Sequence, residues 1–140
     1  MFKHIMVAFD NSVYAQKALD KGLALAEASG AFLELITVVQ LPDYADSIGE
    51  VNEMISDGKK FYQPSHEHAT IEAQKRGIKF VSNMLHGHIG ETLVYYAKEN
   101  MVDLILLGSH GRSVVGRLLL GSVSNYVVKH ARCPVLIVRE

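Results

Sequence analysis

The order of apolar runs along this chain predicts an α/β fold in which a parallel sheet carries helices on both faces. Three observations lead there. Short apolar runs at residues 4–9, 32–39, 78–86, 103–107 and 134–138 alternate with stretches of helical character. Cap and stop residues punctuate those stretches: Asp10-Asn11-Ser12 opens the first, Ser29-Gly30 closes it, and Arg76-Gly77 closes the second. Glycines gather where the fourth run hands the chain to a helix. Parallel neighbours need crossovers, and right-handed crossovers that alternate sides place helices on both faces.

Each element has its own justification. Residues 4–9 form a short apolar run and read as a buried strand ending at the cap. Ala15, Ala18, Leu19, Gly22 and Ala26 then fall at helical spacing. Residues 32–39 are rich in branched and aromatic side chains and read as a second central strand. From about 41 to 58 the pattern dissolves into a loop or a helix start, with Asp43, Asp46, Glu50, Glu53 and Asp57 and no lysine or arginine. A polar helix is predicted over 53–76. Residues 78–86 give a third strand, more polar than the first two and so expected at an edge. A helix from Gly90-Glu91 to about Asn100, a strand at 103–107, a helix at 122–130 and a strand at 134–138 complete the chain.

Composition bounds the function. At 140 residues the chain fits one domain, taken as 1–140, with an ordinary balance of 49% hydrophobic and 21% charged residues. The net charge of −1 speaks against a dedicated nucleic-acid binder, although a local cradle for a nucleotide needs no global charge. No apolar stretch approaches the roughly 20 residues of a membrane helix, and Met1 leads directly into a strand, so the expected address is the cytoplasm. Cys133 is the one cysteine, which excludes an internal disulfide, suits a reducing compartment and reads as inert.

Gly108-Ser-His-Gly111, nine residues, then Gly121-Ser122 looks like a phosphate cradle. Between a buried strand and a helix start, unpaired backbone N–H groups and the helix dipole favour an anion, and glycine lets the main chain approach it and take positive φ angles. Ligands of such sheets sit at the carboxyl ends of the strands where the order reverses. If the first and fourth strands are neighbours, Asp10 and the glycine loop face one crevice. Asp10 then either accepts from a ribose hydroxyl or caps the first helix, and both roles are compatible. Ser122 would donate to a phosphate and cap its own helix. Arg112 and Arg117 either pair with phosphate or stay solvated. His110 fits hydrogen bonding to backbone or ligand better than proton transfer.

Glycine, two residues, glycine, nine residues, glycine and serine is a pattern that resembles the nucleotide-binding subgroup of the universal stress protein family. The flanking Gly-Ser-His-Gly-Arg-Ser, Leu-Leu-Leu-Gly-Ser-Val and His-Ala-Arg-Cys-Pro-Val-Leu-Ile-Val are close to the family's as well, and the likeness spans the chain. The resemblance implies an ATP-binding, Rossmann-like fold of the adenine nucleotide hydrolase-like kind, a five-stranded sheet of order 3-2-1-4-5, and a homodimer. By the same resemblance Asp10 lies near sugar and base, Val38 meets adenine through its backbone, Ala8 and Phe9 line the mouth, and Leu107 borders the pocket. Gly108, His110 and Gly111 would follow sugar and phosphates, with Arg112 counted beside them for its charge, and Gly121, Ser122, Val123 and Ser124 would hold the distal phosphates. Magnesium would accompany ATP mainly through phosphate oxygens and water. Two departures stand out: Asn11 replaces a glycine or small residue, and Val114-Val115-Gly116 is bulkier than usual. In the implied order the fifth strand is an edge, and Pro134, Val135, Leu136, Ile137 and Val138 are too apolar to leave open, so pairing with a second copy is expected.

Other motifs lead elsewhere or nowhere. His66-Glu-His68 and His86-Gly-His88 lack a third ligand for zinc. His88-Ile89-Gly90-Glu91 imitates the HIGH signature of adenylate-forming synthetases but follows the wrong strand. No Walker lysine and no GxGxxG after the first strand are present. Rapid phosphoryl transfer needs a placed base, and none stands out beside the glycines. The expected function is therefore a cytoplasmic, dimeric, ATP-dependent stress-response or signalling module, with the acidic stretch from Asp43 to Asp57 as a lid or partner surface and with no nucleic-acid or membrane partner. A slow ATPase or nucleotidyl or phosphoryl transferase is one alternative. An adaptor that binds no nucleotide is the other.

Overall fold

The computed structural model of the chain describes residues 1–42, 47–111 and 120–139. Its elements are β1 (His4–Ala8), α1 (Val13–Ser29), β2 (Phe32–Gln40), α2 (Ile48–Lys75), β3 (Phe80–Gly87), α3 (Ile89–Glu99), β4 (Leu104–Gly108), α4 (Ser122–His130) and β5 (Val135–Val138). The strands form one parallel sheet in the order β3-β2-β1-β4-β5. The predicted fold class and strand order are what the chain adopts.

Alternation along the strands sorts the core into two layers. Ile5 and Val7 join Leu33, Leu35, Leu104 and Leu106 on the face covered by α1 and by Ala69 and Ala73 of α2. Met6, Ile36, Ile105 and Leu107 face the other way, against Leu93 and Ala97 of α3 and Val127 of α4. The central strands are thus buried on both sides, which is why they read as unbroken apolar runs. Each fully buried aliphatic side chain contributes about 1.5–3 kcal/mol. β3 pairs only with β2 and alternates partly buried with exposed positions, as its polarity predicted.

The caps of α1 explain its ends. Ser12 Oγ accepts from the Ala15 N–H at 3.0 Å, and Gly30, at φ +74°, donates its N–H to Ala26 at 2.9 Å. The second helix is longer than its apolar periodicity predicted. It begins at Ile48, not near 53, because Ser47 Oγ caps the Glu50 N–H at 3.1 Å. Its buried residues, His66, Ala69 and Ala73, all follow Pro64, so the upstream half carried no core-facing signal to read. Asp43 and Asp46 lie outside the described residues.

A polar cluster inside the sheet was not foreseen. Glu34 of β2 is buried and accepts from the Tyr96 hydroxyl at 2.5 Å, while its other oxygen meets His4 Nε2 at 2.7 Å. Burial, with the Glu34 contact adding to it, pushes the Tyr96 phenol above its ordinary value.

Candidate functional site

The end of β1 and the end of β4 lie side by side, since Ile5, Met6 and Val7 pair with Leu104, Ile105 and Leu106. After β1 the chain turns at Asn11, whose φ of +66° is left-handed. Asparagine tolerates that region, so the departure from a small residue there keeps the turn. Asp10 does not cap the helix: Ser12 does, and Asp10 Oδ1 instead accepts from the Ser12 N–H at 3.0 Å. The other carboxylate oxygen reaches across to the glycine loop. A Cβ added at Gly111 would stand 2.7 Å from Asp10 Oδ2.

The glycines are needed for close approach, not for positive φ. None of Gly108, Gly111 and Gly121 is among the left-handed residues. A Cβ at Gly108 would fall 2.5 Å from Tyr14 Cβ and 2.8 Å from the Tyr14 carbonyl carbon, so β4 can end against the first turn of α1 only without a side chain. Gly121 donates its N–H to the Ser109 carbonyl at 2.7 Å, and Ser124 Oγ donates to the same carbonyl at 2.9 Å. These bonds hold the start of α4 beside the end of β4. Gly121, not Ser122, is the N-cap residue, and no side chain among the described residues caps the helix. The start of α4 lies at the positive end of its dipole, where an anion is favoured.

A cavity of about 860 Å3 opens at this junction. Ala8, Phe9, Asp10, Val38, Leu107, Gly108, His110, Gly111, Gly121, Ser122, Val123 and Ser124 all line it, so the structure brings together every predicted site residue it describes. Arg112 lies outside the described residues, as do Arg117 and the bulky Val114-Val115-Gly116 stretch. Asp57, the last residue of the acidic stretch, also lines the cavity, and sequence reasoning missed the α2 wall beside it: Gly58, Phe61 and Tyr62. Their spacing of three and four residues marks a single helical stripe, the one signal that would have found them.

Two buried histidines differ in their surroundings. His110 pairs Nδ1 with Ser109 Oγ at 3.1 Å and lies against the Tyr14 ring, and its Nε2 is buried without a partner among the described residues. His66 approaches Thr37 Oγ1 with Nε2 at 2.7 Å, and that hydroxyl donates to the Phe9 carbonyl, also at 2.7 Å. Thr37 therefore accepts from His66, which assigns the proton to Nε2. Nδ1 has no partner among the described residues, and burial lowers the imidazole from 6.5 to about 4.

The other motifs lie apart from this chemistry. Gly90 of the His-Ile-Gly-Glu quartet packs against the Tyr126 ring, where a Cβ would stand 2.7 Å from Cδ1. Among the described residues no group of three metal-ligating side chains gathers. Cys133 is half-buried, and burial raises its thiol. Among the described residues no helix is long and apolar enough to cross a membrane.

Fold and site together define a Rossmann-like α/β protein with its cavity at the topological switch point. The universal stress protein family model matches residues 1–139, and the chain belongs to that family. The universal stress protein YxiE of Bacillus subtilis is 33% identical over 154 aligned positions, covering 99% of this chain and 100% of that protein. The solved structure of UspA from Lactobacillus plantarum superposes with a TM-score of 0.90 at 25% identity, covering 99% of this chain and 98% of that one. A universal stress protein solved in complex with cAMP gives 0.75 at 26% identity, covering 98% and 97%.

Proposed function

We infer that this protein binds ATP in the cavity between the β1 turn and the β4–α4 loop. The reading rests above all on one observation: Asp10 and Gly111, about a hundred residues apart in sequence, face each other closely enough that a single Cβ would fill the gap. A carboxylate beside a glycine loop and a helix start suits a sugar hydroxyl next to a phosphate chain. The adenylate in the 26% identical relative supports the same ligand class. In this reading Asp10 takes the ribose, Val38 the base, and Gly108 to Arg112 with Gly121 to Ser124 the phosphates. Bound magnesium would supply charge neutralisation on the phosphates, held by them and by water.

Holding the nucleotide fits this site better than rapid turnover. Asp10 is engaged with the Ser12 N–H, and the His110 ring is packed against Tyr14 with its Nε2 buried. A nucleotide-dependent stress-response or signalling module of the cytoplasm is the function we assign, working as a homodimer joined along the β5 edge, where Leu136 is 41% exposed.

The test is to denature freshly purified protein and identify what it releases. An adenine nucleotide is expected from the parent, none from Gly111→Val, and ATP binding about tenfold or more weaker in Ser122→Ala from loss of a hydrogen bond to a charged group. A parent that carries no nucleotide and gives no heat on titration with adenylates overturns the reading.

A further inference from the structure

The sheet has two edges, and they are unequal. β5 contributes the four residues Val135–Val138 and is the edge assigned above to a second copy. β3 contributes the eight residues Phe80–Gly87 and keeps unbroken register with β2, from Leu33 beside Phe80 to Gln40 beside Gly87. Leu33 donates to the Lys79 carbonyl at 2.9 Å and Leu41 to the Gly87 carbonyl at 3.2 Å, so the odd-numbered residues of β3 turn their N–H and C=O groups toward β2. Phe80, Ser82, Met84 and His86 turn theirs away. Among the described residues no strand lies beside them on that side and no other backbone group bonds to them.

An open edge is ordinarily blunted by a proline, a charge, a bulge or shortness, and residues 80–87 carry none of these. Val81 beside the edge is 42% exposed. The chain leading into β3 selects the occupant: between 73 and 90 stand Lys75, Arg76 and Lys79 and no aspartate or glutamate. Arg76 is engaged by Glu72 at 3.1 Å, whereas Lys75 and Lys79 are exposed and, among the described residues, form no ion pair. Lys79 rests over the Phe32 ring, 5.2 Å from its centroid, which positions the charge at the start of β3 without an acid to neutralise it. A second copy laid antiparallel along β3 would complement the backbone but set this same acid-free stretch opposite the two lysines. A strand that ends in acidic residues complements both.

We propose that the β3 edge is a docking site for an extended, acid-ended segment of a partner protein, which joins the sheet as a further strand beside Phe80, Ser82, Met84 and His86. Main-chain bonds supply the affinity, and alternate side chains cover Val81. The segment runs antiparallel, the more stable sense, which brings acidic residues at its C-terminal end beside Lys79 and Lys75. This surface lies across the sheet from β5 and needs no nucleotide, so it stands or falls apart from the ATP reading.

Two labelled peptides and three proteins test it. The peptides are Thr-Val-Thr-Val-Thr-Val-Glu-Glu and its counterpart ending in Lys-Lys. In anisotropy titrations at low salt the parent is expected to bind the acidic peptide about tenfold more tightly than the basic one, and Lys79→Glu to lose that preference. Ser82→Pro removes only an outward N–H, so it should fold and bind the acidic peptide about tenfold more weakly. Amide exchange followed by NMR in the parent locates the strand. Near saturation with the acidic peptide, Phe80, Ser82, Met84 and His86 should slow about tenfold, while Val81, Asn83 and Leu85, already bonded to β2, keep their rates. Outward amides protected in the free protein, equal affinity for the two peptides, or full affinity in a folded Ser82→Pro overturns the proposal. Self-association of the parent that Ser82→Pro abolishes overturns it too, by making a second copy the occupant. If Ser82→Pro does not fold, the exchange pattern of the parent decides.

Discussion

His66 gives the sharpest prediction. Folded, its Nε2–H donates to Thr37, and a second proton would land on Nδ1, which has no partner among the described residues. Only 3% of the residue is exposed, so water does not relieve that charge. The ring therefore protonates at about 4 in the folded protein against 6.5 in the unfolded chain. Between those values the unfolded chain holds the extra proton, so stability rises with pH across the window and levels off above about 6.5. The full gap corresponds to at most about 3 kcal/mol, of which about 2 kcal/mol is lost by about pH 5.

His66→Gln removes the titration while keeping an N–H for Thr37. Urea denaturation of parent and variant from neutral pH down to about pH 4.5 isolates the effect, because every carboxylate contribution is common to both. The expected difference grows as pH falls, to about 2 kcal/mol at about pH 5, or about 6 °C in Tm for a domain of this size, and further by about pH 4.5, in the variant's favour relative to its value at neutral pH. Parallel curves, or a parent that gains stability as pH falls, would refute the assignment of a neutral, buried His66.

Two further substitutions probe the packing behind the site and the assembly. Gly108→Ala places a Cβ against Tyr14 backbone that has no flexible end to move, so a loss of about 1–3 kcal/mol by denaturant titration is expected, and an unchanged midpoint would show that α1 is not closely seated on β4. Leu136→Lys sets a charge on the exposed β5 edge and should convert a dimeric parent to a monomer in sedimentation velocity; a parent that already sediments as a monomer refutes pairing through β5.

Much of this architecture was legible because its physical causes are local. β1, β2 and β4 are buried on both faces over most of their length, so nearly continuous apolar runs were required and stood out. Ser29-Gly30 and Arg76-Gly77 closed their helices through short-range geometry that sequence spells directly. Glu34 shows the opposite case. It sits in an apolar run as one charge, and its partners are 30 and 62 residues away, so nothing nearby announced that the carboxylate would be buried and satisfied. The role of the glycines was misread for the same reason. Positive φ is a local property, whereas the actual constraint on Gly108 and Gly111 is close approach to Tyr14 and Asp10, which lie about a hundred residues away in sequence.

The upstream arm of α2 brings the two kinds of information together. Helical periodicity is visible only where a helix meets a core, and this arm meets a cavity instead. Gly58 and Tyr62 stand at the same four-residue spacing that continues into buried His66, so one stripe passes from cavity wall to packed interior along its length. The His66–Thr37–Phe9 bonds then tie that stripe to the end of β1, one residue before Asp10. A substitution that displaces His66 is therefore expected to disturb the aromatic wall and the carboxylate together. His66→Ala should weaken ATP binding at neutral pH although no atom of residue 66 lines the cavity, while His66→Gln, which keeps the bond to Thr37, should not. Equal ATP affinity in both variants would show that the wall is positioned without this link.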